Sequence, residues 1–119
     1  LAIAERGVGS ASREALRGAV LQLAGELRAR GAAGPGSVVA IAMPNGLAFA
    51  VAFLATTAAR AVAAPLNPKY TEAELCAYLR DQRASLLLLP AGGAQGAESA
   101  AGKCGVAVAR VAVSAPGGE

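Results

Sequence analysis

Two carboxylates two residues apart, Glu72 and Glu74, are the residues in this chain whose spacing most suggests acid–base chemistry. On a helix, side chains at i and i+2 point in different directions, so the two carboxylates would not share a substrate. Thr71 precedes them, and Thr71 with Glu74 three residues later is the pattern of a helix-capping box. The pair therefore predicts a helix start, where anions are favoured by the helix dipole, and not a catalytic pair.

Other candidate groups also favour structural roles. The chain contains no histidine, so its hydroxyls have no such base to activate them as nucleophiles. These hydroxyls are those of Ser10, Ser12, Thr56, Thr57, Ser85, Ser99 and Ser114. The glycine-rich stretches 7–12 and 92–96 match neither the dinucleotide fingerprint nor the phosphate-binding loop pattern, so both predict flexible turns. Lys69 could hold an anion, but a solvated lysine is favoured. We therefore predict no catalytic, cofactor-binding or metal-binding residue in this chain.

Cys76 and Cys104 are the two cysteines of the chain. Without histidine and with so wide a spacing, they do not form the pattern of a metal site. A disulfide between them is one reading, but the sequence shows no secretory signal, so a reduced pair in an intracellular protein is favoured. Cys76 would lie inside the helix that begins at Thr71, where packing is its expected role.

Composition and charge exclude two classes of function. The chain has 119 residues and a net charge of +3, and its 11 basic residues are spread along it with 3% aromatic residues, which argues against nucleic-acid binding. Residues 31–59 carry no charge, but Gly34-Pro35-Gly36 and Pro44-Asn45-Gly46 interrupt them. The remaining segment, 47–59, is shorter than the roughly 20 residues of a membrane span, so it predicts a helix that is apolar nearly all round and buried.

The remaining pattern predicts one α/β domain with a parallel sheet. A helix capped by Ser12 carries Leu16, Val20, Leu23 and Leu27 on one face and ends at Gly31. Short apolar runs alternate with further helices, as in parallel sheets covered on both faces. The predicted strands are 38–42, 61–65, 86–89 and 106–113, and the predicted helices after the first are 47–59, 71–83 and 97–104, with 91–96 as a loop.

The order of these features resembles the N-terminal part of the acyl-activating, adenylate-forming ligases. The matching features are Pro44-Asn45 after a strand, Phe49 and Phe53-Leu54-Ala55 in the apolar helix, the turn Pro65-Leu66-Asn67-Pro68, and Tyr70-Thr71 before Glu74-Leu75. Residues 59–67 are most similar to the oxalate–CoA ligases, although many relatives have glycine where Arg60 stands. The resemblance covers nearly the whole chain.

The resemblance implies an AMP-forming acid–CoA ligase. Such enzymes convert a carboxylate, ATP and CoA into an acyl-CoA, AMP and pyrophosphate, with Mg²⁺ neutralising phosphate charge. The family's phosphate loop, adenine-binding residues and catalytic lysine lie further along the chain, so residues 1–119 are expected to be a partial N-terminal domain that is inactive alone. Leu1 in place of methionine and the linker-like residues 114–119 fit a fragment.

Several alternatives stay open at this stage. The acid could be 4-coumarate or a fatty acid instead of oxalate, and the resemblance implies a cytoplasmic or peroxisomal location. A different reading is a free-standing α/β module that binds a ligand or a partner without catalysis. The sequence specifies neither the acid nor the oligomeric state.

Overall fold

The computed structural model describes residues 10–112, in which helices and strands alternate as predicted. The helices are α1 (Ser10–Ala29), α2 (Leu47–Ala58), α3 (Glu72–Asp81) and α4 (Gln95–Cys104). The strands are β1 (Val38–Ile41), β2 (Val62–Pro65), β3 (Leu86–Pro90) and β4 (Ala107–Val111). All paired strands are parallel, and their order in the sheet is β2-β1-β3-β4. The predicted α/β fold class is confirmed.

The sheet is covered by helices on both faces. Leu86 and Leu88 of β3 belong to the buried cluster that contains Leu27 of α1 and Ala52 of α2. Leu87 and Leu89 point to the other face, into the buried cluster of α3 and α4. Side chains alternate between the two faces of a strand, so a strand with a helix layer on each side must be apolar at every position. The result is three layers, with the sheet in the middle.

Helix α1 packs through one amphipathic stripe. Leu16 and Leu27 are buried, while Val20 and Leu23 pack partly buried beside the same core. The predicted apolar face is therefore confirmed. The predicted cap at Ser12 is wrong, because α1 begins at Ser10 and Ser12 lies within the helix. Serine is only moderately unfavourable inside a helix, so Ser12 does not have to mark its start.

Helix α2 is less buried than its composition predicts. Val51, Ala52, Ala55 and Thr56 are buried, but Phe53 is 39% exposed. The expectation that this helix is buried all round is wrong, because α2 lies in an outer layer and only the side toward α1 and the sheet is covered. Across residues 10–112, no helix is both long enough and apolar enough to cross a membrane.

Helix α3 begins with the predicted capping box. The backbone N–H of Glu74 donates to Oγ1 of Thr71 over 3.1 Å, and the N–H of Thr71 donates to Oε1 of Glu74 over 2.8 Å. Two backbone donors that a helix start leaves free are thus satisfied by side chains. Glu74 is a structural residue, as the sequence predicts.

Some predicted boundaries differ from the structure. Helix α4 begins at Gln95 and not at residue 97, because Ala94 adopts a left-handed conformation that ends the loop. Strand β3 includes Pro90, and β4 ends at Val111, since its register follows β3 from Leu86 to Pro90. Strand β2 begins at Val62. Residues 7–9 of the first glycine-rich stretch, Val113 and residues 114–119 lie outside the described part of the chain.

All four helices are terminated in the same way, by a residue in the left-handed region one or two positions after the last helical residue. These residues are Gly31 (φ 75°), Arg60 (66°), Arg83 (53°) and Gly105 (75°). The next N–H donates to a carbonyl five residues back: Ala32 to Leu27, Ala61 to Thr56, Ala84 to Leu79 and Val106 to Ala101, over 2.8–3.1 Å. This is the Schellman motif, in which glycine is preferred because a Cβ crowds the left-handed backbone. Two of the four positions carry arginine instead.

We expect Arg60→Gly to raise the free energy of unfolding by about 0.5–1 kcal/mol, because glycine removes the steric strain at a positive φ but is more flexible when unfolded. Gly31→Ala is the matched control. A Cβ at Gly31 meets open space, so its expected loss of about 1 kcal/mol comes from backbone conformation alone. Urea denaturation measures both. An Arg60→Gly chain no more stable than the wild type would contradict the assignment of strain.

Candidate functional site

The order of the strands reverses between β1 and β3: β2 lies on one side of β1, and β3 and β4 lie on the other. From β1, the chain passes through α2 on one face to β2, and from β2 it passes through α3 on the other face to β3. The segments that leave β1 and β3 therefore diverge to opposite faces. In open α/β sheets, ligands bind in the crevice that such a switch point leaves outside the carboxyl ends of the strands. This carboxyl edge is the candidate site.

Arg110 fixes the loop that follows β3. It lies on β4 opposite Leu89 and donates from Nη1 to the carbonyls of Pro90 (2.9 Å) and Gly93 (2.7 Å). Its Nη2 donates to Oε1 of Glu98, in the first turn of α4, over 2.6 Å. One planar guanidinium thus holds the end of a strand, the loop and the start of a helix together. Sequence reasoning missed Arg110, because its partners lie 12 to 20 residues away.

The loop that follows β2 is ordered by local hydrogen bonds. The N–H of Lys69 donates to Oδ1 of Asn67 over 2.9 Å, and the N–H of Tyr70 donates to the Asn67 carbonyl over 3.1 Å. Tyr70 stacks on Tyr78 of α3 with ring centroids 4.8 Å apart, and contact with the Tyr78 hydroxyl raises the pKa of Tyr70. The Lys69 side chain is exposed, as the sequence predicts. This loop presents a short, ordered turn at the carboxyl edge.

Several hydroxyls are engaged in structural hydrogen bonds. Thr56 and Thr57 donate to carbonyls of their own helix, those of Ala52 and Leu54. Ser99 donates to Oε2 of Glu72. Within residues 10–112, no group of three potential ligands is placed to hold a metal ion. These hydrogen bonds give Thr56, Thr57 and Ser99 partners within the fold.

Helices α3 and α4 are joined side by side along a polar seam. Glu72 accepts from Ser99 and pairs with Lys103 at 3.3 Å, and these two contacts, the Ser99 bond first, hold the pKa of Glu72 below its ordinary value. Cys76 and Cys104 form a disulfide across the same seam, with Cα atoms 5.9 Å apart. The expectation of a reduced pair is wrong for this structure. The two cysteines are 28 residues apart in sequence, and only the packing of α3 against α4 brings them within bridging distance.

We expect Arg110→Gln to lower the free energy of unfolding by about 1 kcal/mol and to speed hydrogen exchange in residues 91–94, because two backbone carbonyls lose a charged donor. Glu98→Gln is the control. It keeps the bonds to Pro90 and Gly93 and removes only an ion pair whose acid is 55% exposed, so it should change stability by less than about 0.5 kcal/mol. If residues 91–94 exchange hydrogen at the same rate in Arg110→Gln and in the wild type, Arg110 does not hold the loop in place.

Sequence comparison relates this chain to CoA ligases. The profile of the family described as AMP-binding enzyme matches residues 5–117. A probable CoA ligase of Humulus lupulus, CCL9, is 43% identical over 86 residues, which are 72% of this chain and 16% of the relative. The oxalate–CoA ligase of Arabidopsis thaliana is 48% identical over 69 residues, which are 58% of this chain and 13% of the relative. The matched part of the chain thus spans only 13–16% of the length of these relatives.

Solved structures share the fold. Apo MatB from Rhodopseudomonas palustris superposes with a TM-score of 0.67 at 30% identity, over 86% of this chain and 20% of MatB. The anthranilate CoA ligase AuaEII in complex with anthranoyl-AMP gives a TM-score of 0.70 at 20% identity, over 82% of this chain and 19% of that one. The second likeness shows the fold alone. With a profile match over nearly all its residues and the same α/β topology, this chain belongs to the AMP-binding enzyme family.

Proposed function

We propose that this chain is part of the N-terminal domain of an acid–CoA ligase that activates a carboxylate with ATP and transfers it to CoA. The observation that carries the proposal is the family match over residues 5–117, together with relatives named as CoA ligases. In this account residues 1–119 supply scaffold to a larger enzyme. The carboxyl edge of the sheet is the side on which a ligand would approach.

In this account the chemistry of the reaction is supplied largely from outside residues 10–112. Adenylation needs cationic groups and usually Mg²⁺ around the departing phosphates. The acidic groups best placed at this edge are already paired, Glu98 with Arg110 and Glu72 with Lys103. Residues 10–112 contain no group of three potential ligands placed to hold a metal ion, so they do not fit a Mg²⁺ site. The proposal therefore assigns phosphate and metal binding to other parts of the enzyme.

Oxalate is the acid that we propose first. Relatives named oxalate–CoA ligase occur in Arabidopsis thaliana and in Saccharomyces cerevisiae, each 48% identical over the matched part. The rice relative named 4-coumarate–CoA ligase-like 3, 46% identical over 83 residues, keeps 4-coumarate as the second candidate. We propose the cytosol or the peroxisome as the location of the enzyme.

A chimera tests the scaffold proposal. The 69 matched residues of the Arabidopsis oxalate–CoA ligase would be replaced by the corresponding residues of this chain. We expect oxalate-dependent release of AMP within about tenfold of the unmodified enzyme, because the substituted part holds the fold and leaves the catalytic groups in place. The same chimera with Leu88→Asp is the control, since a charge in the core should prevent folding.

Two outcomes would contradict the proposal. One is a chimera that folds, as judged by circular dichroism and a cooperative melt, but forms no acyl-adenylate. The other is AMP release by the 119-residue chain alone with oxalate, ATP and CoA, which would show that the chain is a complete enzyme. A folded, inactive chimera would favour the reading of a free-standing module.

A further inference from the structure

In the described part of the chain, the disulfide between Cys76 and Cys104 is the one covalent cross-link between the side chains of α3 and α4. Its cysteines are 28 residues apart, and both side chains are half-buried. Helices α3 and α4 follow the two loops of the carboxyl edge, after β2 and β3 respectively. The bond therefore adds a covalent cross-link to two helices that otherwise meet through packing and the polar seam of Glu72, Ser99 and Lys103.

A solvent-open groove leads to one of the two sulfurs. It is lined by Glu72, Ala73, Cys76, Ala77, Arg80 and Lys103, and encloses about 390 Å³. Cys104 does not line it. The groove is large enough for a small thiol, and Arg80 and Lys103 line it together with Cys76, so it can attract an anionic reagent. Glu72 is the acidic group in the groove, and its charge is paired with Lys103.

We propose that Cys76–Cys104 is a reversible redox clamp between α3 and α4, and that low-molecular-weight thiols open it by reacting at Cys76. This inference does not depend on the proposed function. Cys76 lines the groove and Cys104 does not, so the two sulfurs are not equivalent in access.

The exchange balances with thiols as the reductant. An external thiolate attacks Sγ of Cys76, the bond between the two cysteines breaks, and Cys104 leaves as a thiolate. A second external thiolate then attacks the outer sulfur of the mixed disulfide and releases Cys76 as a thiolate. Two thiols are oxidised to one small disulfide, their two electrons reduce the clamp, and the released cysteine thiolates take up the two protons. Clamp closure by a small disulfide is the reverse sequence.

We expect the fold to persist when the clamp is open. Leu75 and Leu79 of α3 and Ala100 and Ala101 of α4 are buried in the core under the two helices, and that packing does not involve the sulfurs. Reduction should therefore loosen α4 without unfolding β3. This separation makes the clamp suited to adjusting one face of the domain.

Glutathione disulfide is the probe for the reactivity of the two sulfurs. The single variants Cys104→Ser and Cys76→Ser leave one thiol each and form a matched pair. We expect the mixed disulfide to form at least about fivefold faster on Cys76 than on Cys104, measured by intact mass after acid quenching. Equal rates, or faster reaction at Cys104, would overturn the assignment of Cys76.

Hydrogen exchange tests the clamp in the wild-type chain. Glutathione should convert the disulfide to two thiols under native conditions, seen as a gain of two alkylation sites, and exchange in α4 should accelerate while β3 is unchanged. The Cys76→Ser/Cys104→Ser double variant should exchange like the reduced wild type under all conditions. Two results would overturn the proposal. One is a disulfide that is reduced only after global unfolding, and the other is hydrogen exchange in α4 that is the same with the disulfide formed and with it reduced.

Discussion

The burial of β3 on both faces is the constraint on which the rest of the structure depends. Leu86, Leu87, Leu88 and Leu89 are each at most 1% exposed. Four consecutive leucines in a strand must face both sides of the sheet, so neither face can meet water. The α1–α2 pair covers one side and the α3–α4 pair covers the other. Because β3 is an interior strand beside β1, both helix layers must be present to exclude water from its two faces.

This arrangement also produces the carboxyl edge. Helices on both faces require the chain to leave β1 toward one side and to reach β3 from the other, which opens the crevice at the switch point. The loop after β3 lies at that crevice, and Arg110 on the edge strand holds it in place. Core packing and loop position are therefore consequences of one topological choice. In the proposed ligase role, the edge is scaffold for catalytic groups that we propose lie elsewhere in the enzyme.

Much of the fold could be predicted from the sequence, because the signals involved are local. The Thr71–Glu74 capping box and the Leu86–Leu89 run are contiguous, and each has one plausible structural meaning. Non-local features could not be predicted. Arg110 finds its partners, and Cys104 finds Cys76, only after parallel pairing and helix packing set the distances. The helix ends near Arg60 and Arg83 were predicted, but their left-handed backbone was not, since arginine does not carry the glycine signal of a left-handed turn.

The central claim is that β3 is the shared core of both helix layers. Native-state hydrogen exchange on the 119-residue chain tests it most directly, by giving the free energy of opening for each amide. We expect the amides of Leu87 and Leu88 to exchange only through global unfolding, with those of α4 opening at lower free energy. Rapid exchange of the β3 amides while α1 and α2 stay protected would contradict the claim. The layers would then be stable without the strand between them.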